Sequence, residues 1–330
     1  MPRILPAPHP DSPALQEAAA LLRSGGLVAF PTETVYGLGA DGLNPEAVAR
    51  IYAAKGRPAT NPLILHVADV PQAQALVTRW PAEAQLLADR FWPGPLTLVL
   101  PATDGVPASV RAGGPSVALR CPAHPVALAL IRAVGRPLAA PSANRSQHLS
   151  PTCAAHVASS LGESVDLILD AGPTAAGLES TILDLSVPGA RSRILRPGPI
   201  PPAELEALLG PVDRWRGAVA PGTTQAAPGM AERHYAPRAR LRLVAPGTGI
   251  RSLGGRTAYV ALGALPPLPA GILGVLLPLD PEQVGTRLYA LLHELDDAGF
   301  EQVLMEQPPD EDAWLAVRDR LGRASAKETA

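Results

Sequence analysis

Residues 30–61 read FPTETVYGLGADGLNPEAVARIYAAKGRPATN, and Gly37, Gly39 and Gly42 within them spell the G-x-G-x-x-G of a dinucleotide-binding turn. Such a turn needs its first glycine directly after a strand, a helix opening at the motif, and an acidic residue about 20 positions on for the ribose hydroxyls. Here Pro31-Thr32-Glu33-Thr34 separates the apolar run GGLVAF from the glycines, and Leu43-Asn44 delays the helix. The place of the acid is held by Lys55, Arg57 and Asn61, and Asp69 comes too late. The match therefore reads as a coincidence inside a glycine-rich loop. No G-x-x-x-x-G-K-[ST] occurs, so a P-loop is absent as well.

Outward from this stretch the chain alternates helical and strand-like segments. Helical patterns cover 13–24, 45–54 with Asn44 as N-cap and Pro45 at its first position, 81–92, 124–134, 151–162 and 202–210. Short apolar runs at GGLVAFP, LILHV (63–67), LTLVL (96–100), SVALR (116–120), PLAAPS, DLILDAG (166–172), STILDL (180–185) and RILRPG (193–198) predict strands. Several of these follow one another without a helix between them, which predicts a mixed sheet in an α/β domain over 1–210. Residues 211–238 have no sustained periodicity and are rich in Pro, Gly and Thr, so they read as an interdomain linker. From 239 to 330 strand and helix patterns resume and predict a second, smaller α/β unit.

At 330 residues, two domains are expected, and 47% hydrophobic against 18% charged residues indicates a globular chain. A net charge of -2 gives no global pull toward nucleic acid, so any RNA contact is local. The opening MPRILPAPHPDSPALQ has no charged start followed by an apolar run, and no apolar run spans a membrane, so the expected location is cytoplasmic. Cys121 and Cys153 have neither C-x-x-C spacing nor a nearby histidine set, and read as reduced thiols. The glycosylation pattern Asn144-Arg145-Ser146 has no meaning without a secretory route. The chain has 26 arginines and only two lysines, Lys55 and Lys327, which makes Lys55 an exception in its own sequence.

Chemistry-bearing residues cluster at the ends of the predicted strands. Lys55-Gly56-Arg57-Pro58 puts two cations around a glycine, a suitable cradle for a polyphosphate, although Lys55 and Gly56 equally suit an ordinary helix C-cap. Ala140 to Ser146, then Ser150-Pro151-Thr152, form a hydroxyl-rich loop before a helix, either an anion site or a plain N-cap. Ser116 and Arg120 flank one strand, Glu179-Ser180-Thr181 opens another, Arg196-Pro197-Gly198 closes a third, and His66 ends LILHV. Ligand sites in α/β sheets concentrate at such ends.

Taken in order, PTETVYGLG (31–39), KGRPATNPLILHV (55–67), SVALRCPAHP (116–125), APSANRS (140–146) followed by SPT (150–152), ESTILDL (179–185), ILRPG (194–198) and PGMAERHYAP (228–237) closely resemble the YrdC-type L-threonylcarbamoyladenylate synthases. The extension beyond them resembles the two-domain form of that family. The resemblance implies a twisted mixed-sheet domain with a large concave site and a small Rossmann-like α/β domain. It implies a nucleotidyltransferase that joins L-threonine, bicarbonate and ATP, with Mg2+, into threonylcarbamoyl-AMP and pyrophosphate. The product would feed a separate transferase acting on adenosine 37 of tRNA. Carried over by position, Thr34, His66, Arg120, the backbone at Ala140, and Ser180 would hold threonine. Lys55, Arg57, Asn61, Ser116, Ser142, Asn144, Ser150 and Arg196 would surround ATP, with Tyr235 arriving from the linker as part of a lid. No side chain is assigned to the metal. Gln147 stands where the family usually has glycine. The competing expectation is an RNA-binding module of the same fold without synthase activity, with direct tRNA contact weak or indirect in either case.

Overall fold

The computed structural model describes residues 2–215, 217, 223–230, 233–248, 250 and 254–325. Parts of the expected linker, two residues of its 228–237 motif, and Lys327 fall outside these.

The large domain is built on one sheet of eleven strands: β1 (Ile4–Pro6), β2 (Val28–Phe30), β3 (Gly37–Asp41), β4 (Ile64–His66), β5 (Leu96–Pro101), β6 (Ser116–Arg120), β7 (Leu138–Ala139), β8 (Leu167–Asp170), β9 (Thr181–Asp184), β10 (Arg193–Arg196) and β11 (Asp213–Arg214). Across the sheet the order is β1-β8-β2-β3-β7-β4-β6-β5-β9-β10-β11. Parallel pairs such as β4/β6 and β5/β9 sit beside antiparallel ones such as β3/β7 and β5/β6, so the sheet is mixed as expected. Its central strands are buried along almost their whole length, which suits uninterrupted apolar runs covered on both faces. The two-residue β11 carries the sheet past residue 210, the expected domain end, and is too short to show any alternation in sequence.

The opening stretch needs a correction. Gly37–Asp41 is a fully buried strand, antiparallel to both β2 and β7, and no loop. The glycines serve packing: a Cβ on Gly39 would lie 2.7 Å from the Phe30 ring, and one on Gly42 would lie 2.5 Å from Leu65 Cδ2. Side chains from β2 and β4 of the same sheet take up the space that a Cβ would need, so a strand low in β-propensity forms because its context demands it. The helix Pro45–Lys55 behaves as predicted. The Asn44 side chain accepts hydrogen bonds from the amides of Glu46 and Ala47, and Gly56 closes the helix in the left-handed conformation at φ 60°.

The small domain has a parallel sheet, ordered β12 (Arg240–Val244), β15 (Gln302–Glu306), β13 (Thr257–Leu262), β14 (Ile272–Leu277), with helices Pro281–Asp297 and Leu315–Ser325 packed on it. The two domains share a core. Val35, Leu149 and Leu178 from the large domain and Tyr235 from the connecting segment pack with Leu288, Tyr289, Leu292 and Leu321 of the small one.

Candidate active site

Sheet register assembles the site. β4 and β6 run parallel with His66 opposite Arg120, and β7 lies antiparallel on the other side of β4. The chain leaves β7 at Ala140, whose amide donates to the Ile64 carbonyl at 3.0 Å, and enters the serine loop. β9 and β10 are antiparallel, so Arg196 at the end of one meets Ser180 before the start of the other. A cleft of about 510 Å3, mouth included, opens among these ends; its lining includes Thr34, Arg57, His66, Arg120, Ala140, Ser142, Arg196 and Tyr235.

The cations are fixed by the backbone around them. Lys55 is 3% exposed; its ammonium donates to the Ser142 carbonyl at 2.5 Å and also to the Asn144 carbonyl. In the other direction the Ser146 amide donates to the Lys55 carbonyl at 2.9 Å. The lone interior lysine thus staples the cationic turn to the serine loop, and the two clusters seen in sequence are one place. Burial, then the Arg57 charge, pulls the Lys55 amine well below the ordinary lysine range. The Arg57 guanidinium donates to the Asn61 carbonyl (3.0 Å), the Asn61 side chain (2.5 Å) and the Pro62 carbonyl (2.7 Å), and burial lowers its pKa to about 10. Arg196 donates to the Ser180 carbonyl at 3.0 Å and to its hydroxyl at 3.1 Å; that hydroxyl also meets Thr97 at 2.8 Å.

The rest of the site is under-satisfied. Among the described residues, His66 Nδ1, Asn144 Oδ1, His234 Nδ1 and the Tyr235 hydroxyl are buried with no aligned hydrogen-bond partner. Arg120 touches Glu33 at 2.7 Å, yet the two groups make no aligned hydrogen bond and both carboxylate oxygens are buried. Burial, reinforced by Arg120, holds His66 at a pKa of about 3, so its ring is neutral at any ordinary pH. Native proteins pair nearly all buried polar atoms, so several unpaired ones around one cleft mark a place for a ligand.

The connecting segment closes one side. Pro228, Gly229, His234 and Tyr235 line the cleft; Tyr235 sits at φ 62° and is 1% exposed. A Cβ on Gly229 would come 2.6 Å from the Tyr235 hydroxyl and 2.9 Å from Arg196, so only glycine admits both at that position.

The family profile described as telomere recombination (Sua5, YciO and YrdC) matches residues 20–198, and the one described as threonylcarbamoyl-AMP synthase, C-terminal domain, matches residues 200–326. The chain belongs to the Sua5/YciO/YrdC family. A threonylcarbamoyl-AMP synthase of Pyrococcus abyssi is 42% identical over 93% of this chain and 93% of its own length. One from Bacillus subtilis is 41% identical over 96% of this chain and 94% of its own. The crystal structure of P. abyssi Sua5 complexed with L-threonine superposes with a TM-score of 0.88 at 38% identity, covering 98% of this chain and 97% of that one. The mixed sheet followed by a small parallel-sheet domain, expected from the resemblance, is the fold observed.

Six of the residues singled out in sequence are not among those that line the cleft. Lys55, Asn61, Asn144 and Ser180 lie directly behind it, hydrogen-bonded to residues that line it or, for Asn144, to its loop. Ser150 is fully buried and its hydroxyl donates to Glu179. Ser116 opens β6 at the end opposite Arg120, two register positions before the residue that faces Ile64. Sequence reasoning assigned no ligand-binding role to Glu33, Glu179, Thr32, His234 or Arg320, although His234 shared the lid reading with Tyr235. Thr32 accepts from the amides of Thr34 and Val35 and shapes the turn that presents Thr34. The first four stood inside quoted motifs, so position alone was the signal for them.

Proposed function

We propose that this protein is an L-threonylcarbamoyladenylate synthase, acting in the cytoplasm on L-threonine, bicarbonate and ATP. The observation that carries the reading is the convergence of Lys55, Arg57, Arg120 and Arg196 with the serine loop on one cleft, where several buried polar atoms lack partners among the described residues. The P. abyssi relative crystallised with L-threonine supports threonine as the amino acid. Among the described residues no helix is long and apolar enough to cross a membrane.

In this reading threonine lies across β4 and β6. Its carboxylate meets Arg120, its amine lies toward Glu33, and Thr34, His66, the Ala140 backbone and Ser180 contact the remainder. A buried, touching Glu–Arg pair is complementary to a zwitterion. The ammonium passes a proton to bicarbonate, which breaks down to CO2 and water; the neutral amine then adds to the CO2 carbon and releases a second proton to solvent, giving a carbamate. A carbamate oxygen then attacks the α-phosphorus of ATP, the α–β anhydride bond breaks, and pyrophosphate leaves. Arg57 and Arg196, fixed before substrate arrives, stabilise charge on the phosphates, with Lys55, Asn61, Ser116, Ser142, Asn144 and Ser150 holding the nucleotide's surroundings. Tyr235 and His234 cover the site and exclude water from a labile mixed anhydride. The donors at the phosphate end are cationic, and among the described residues no group of His, Cys, Asp or Glu could hold a metal ion. In this reading magnesium would arrive with the nucleotide and screen the charge of its phosphates. The product is an activated acyl donor suited to a separate transferase acting on tRNA adenosine 37.

The test is pyrophosphate release by the pure protein with ATP and bicarbonate, comparing L-threonine, L-serine and no amino acid, with RNA omitted. Threonine-dependent release is expected. Release indifferent to threonine, or a strict requirement for RNA, would overturn the reading, and the latter would favour the RNA-binding alternative.

A further inference from the structure

Arg320 belongs to the small domain, on helix Leu315–Ser325, and is completely buried. Its Nε donates to Glu179 Oε2 at 2.7 Å across the domain boundary, Nη2 donates to the Glu179 carbonyl at 3.4 Å, and Nη1 donates to Asp319 at 2.7 Å. The same guanidinium carbon lies 5.0 Å from the centroid of the Tyr235 ring. Glu179 in turn accepts the Ser150 hydroxyl, and the Tyr289 hydroxyl at 3.2 Å. Both Glu179 and Tyr235 line the cleft, whereas Arg320 stands behind them.

We propose that Arg320 is a positioning residue for the nucleotide end of the site: by pairing with Glu179 and underlying Tyr235 it makes the small domain part of the active-site wall. This rests on the synthase reading of the cleft. A buried ion pair adds little net stability, but removing one partner strands the other charge. Without Arg320 the Glu179 carboxylate faces the phosphates and competes for Arg196, whose charge already acts on it. Burial pushes the Glu179 carboxyl up, and Arg320 with Arg196 outweighs this and holds it at about 2. The other groups facing it are Lys55 from the helix Pro45–Lys55, His234 and Tyr235 from the connecting segment, and Tyr289 from the small domain.

The experiment uses the full chain and compares Arg320→Met, Arg320→Lys and Arg320→Met/Glu179→Gln with the unsubstituted protein. Thermal unfolding is measured alongside KM for ATP, KM for threonine and kcat. Arg320→Met should raise KM for ATP about tenfold while KM for threonine stays within about twofold. Part of that defect should disappear as pH falls toward 6, because the stranded carboxyl gains a proton and stops repelling ATP. Adding Glu179→Gln should recover KM for ATP to within about threefold of the parent. A folded Arg320→Met with unchanged KM for ATP, or a double variant no better than the single, overturns the proposal and leaves Arg320 a packing residue. If Arg320→Met does not fold, Arg320→Lys decides: a several-fold rise in KM for ATP supports the proposal and an unchanged KM overturns it. An unsubstituted protein without threonine-dependent turnover would defeat the synthase reading itself, a separate outcome.

Discussion

The ends of the two sheets look alike in topology and differ in their hydrogen bonds. In the small parallel sheet, Glu306 at the end of β15 is 2% exposed and accepts from the Tyr259 hydroxyl (2.6 Å) and the amides of Gly247 (3.0 Å) and Leu262 (2.7 Å). The two amides are backbone donors of the sort that an anionic ligand takes at the strand ends of an open α/β sheet. Here the domain's own carboxylate takes them. In the large sheet the corresponding ends leave buried polar atoms of His66, Asn144, His234 and Tyr235 without an aligned partner among the described residues, beside guanidinium groups already fixed in place. Strand-end position alone would nominate both regions. The accounting of donors and acceptors separates a structural end from a functional one.

The largest effect that sharpens this comparison is expected at Lys55. Lys55→Ala removes the ammonium that joins the cationic turn to the serine loop, leaving two buried carbonyls unpaired. Threonine-dependent pyrophosphate release should fall at least a hundredfold, about 3 kcal/mol of transition-state stabilisation. Lys55→Arg should restore it only in part, because a flat guanidinium does not reproduce a compact ammonium between two carbonyls. Near-normal turnover in Lys55→Ala would break the claim that this staple organises the site. The mirror substitution is Glu306→Gln, where an amide replaces a carboxylate that satisfies three donors. Unfolding stability should drop by about 1–3 kcal/mol, measured by denaturant titration, while kcat for pyrophosphate release stays within about twofold. Loss of activity without loss of stability would show that the small sheet's end also serves the reaction.

Several parts of this arrangement were legible in sequence, each with a local cause. Asn44-Pro45 announces a helix start, and adjacent apolar runs without helices between them announce a mixed sheet. A single interior lysine among 26 arginines announces a site that a guanidinium does not suit. What stayed hidden depends on contacts between distant segments. Gly37–Asp41 is a strand because it pairs on one side with β2 and on the other with the distant Leu138–Ala139, and that second pairing is not written in the stretch itself. Arg320 is separated from Glu179 by 141 positions, on a helix that carries four other charged or polar residues in its own turn pattern, so nothing local marks it as buried. Glu33 gains its meaning only when sheet register brings Arg120 to it.

The smallest effect concerns Gln147, where the resemblance leads one to expect glycine. It sits at φ 70°, in the left-handed region, where a side chain costs about 1 kcal/mol. The conformation is imposed from both sides. The Gln147 carbonyl accepts from the Ala236 amide at 2.9 Å, His148 pairs with Ala236, and the Ser146 amide is held by Lys55. Gln147→Gly relieves the strain but gives the unfolded chain more freedom to lose, so the net gain should be at most about 0.5 kcal/mol, read as a slightly higher melting temperature. Because Lys55 and Ala236 already fix the loop's ends, KM for ATP should stay within about twofold. A Gln147→Gly protein that binds ATP much more tightly would show that the strain reaches Ser142 and Asn144. The serine loop would then be under tension from the connecting segment, unlike the relaxed, fully paired end of the small sheet.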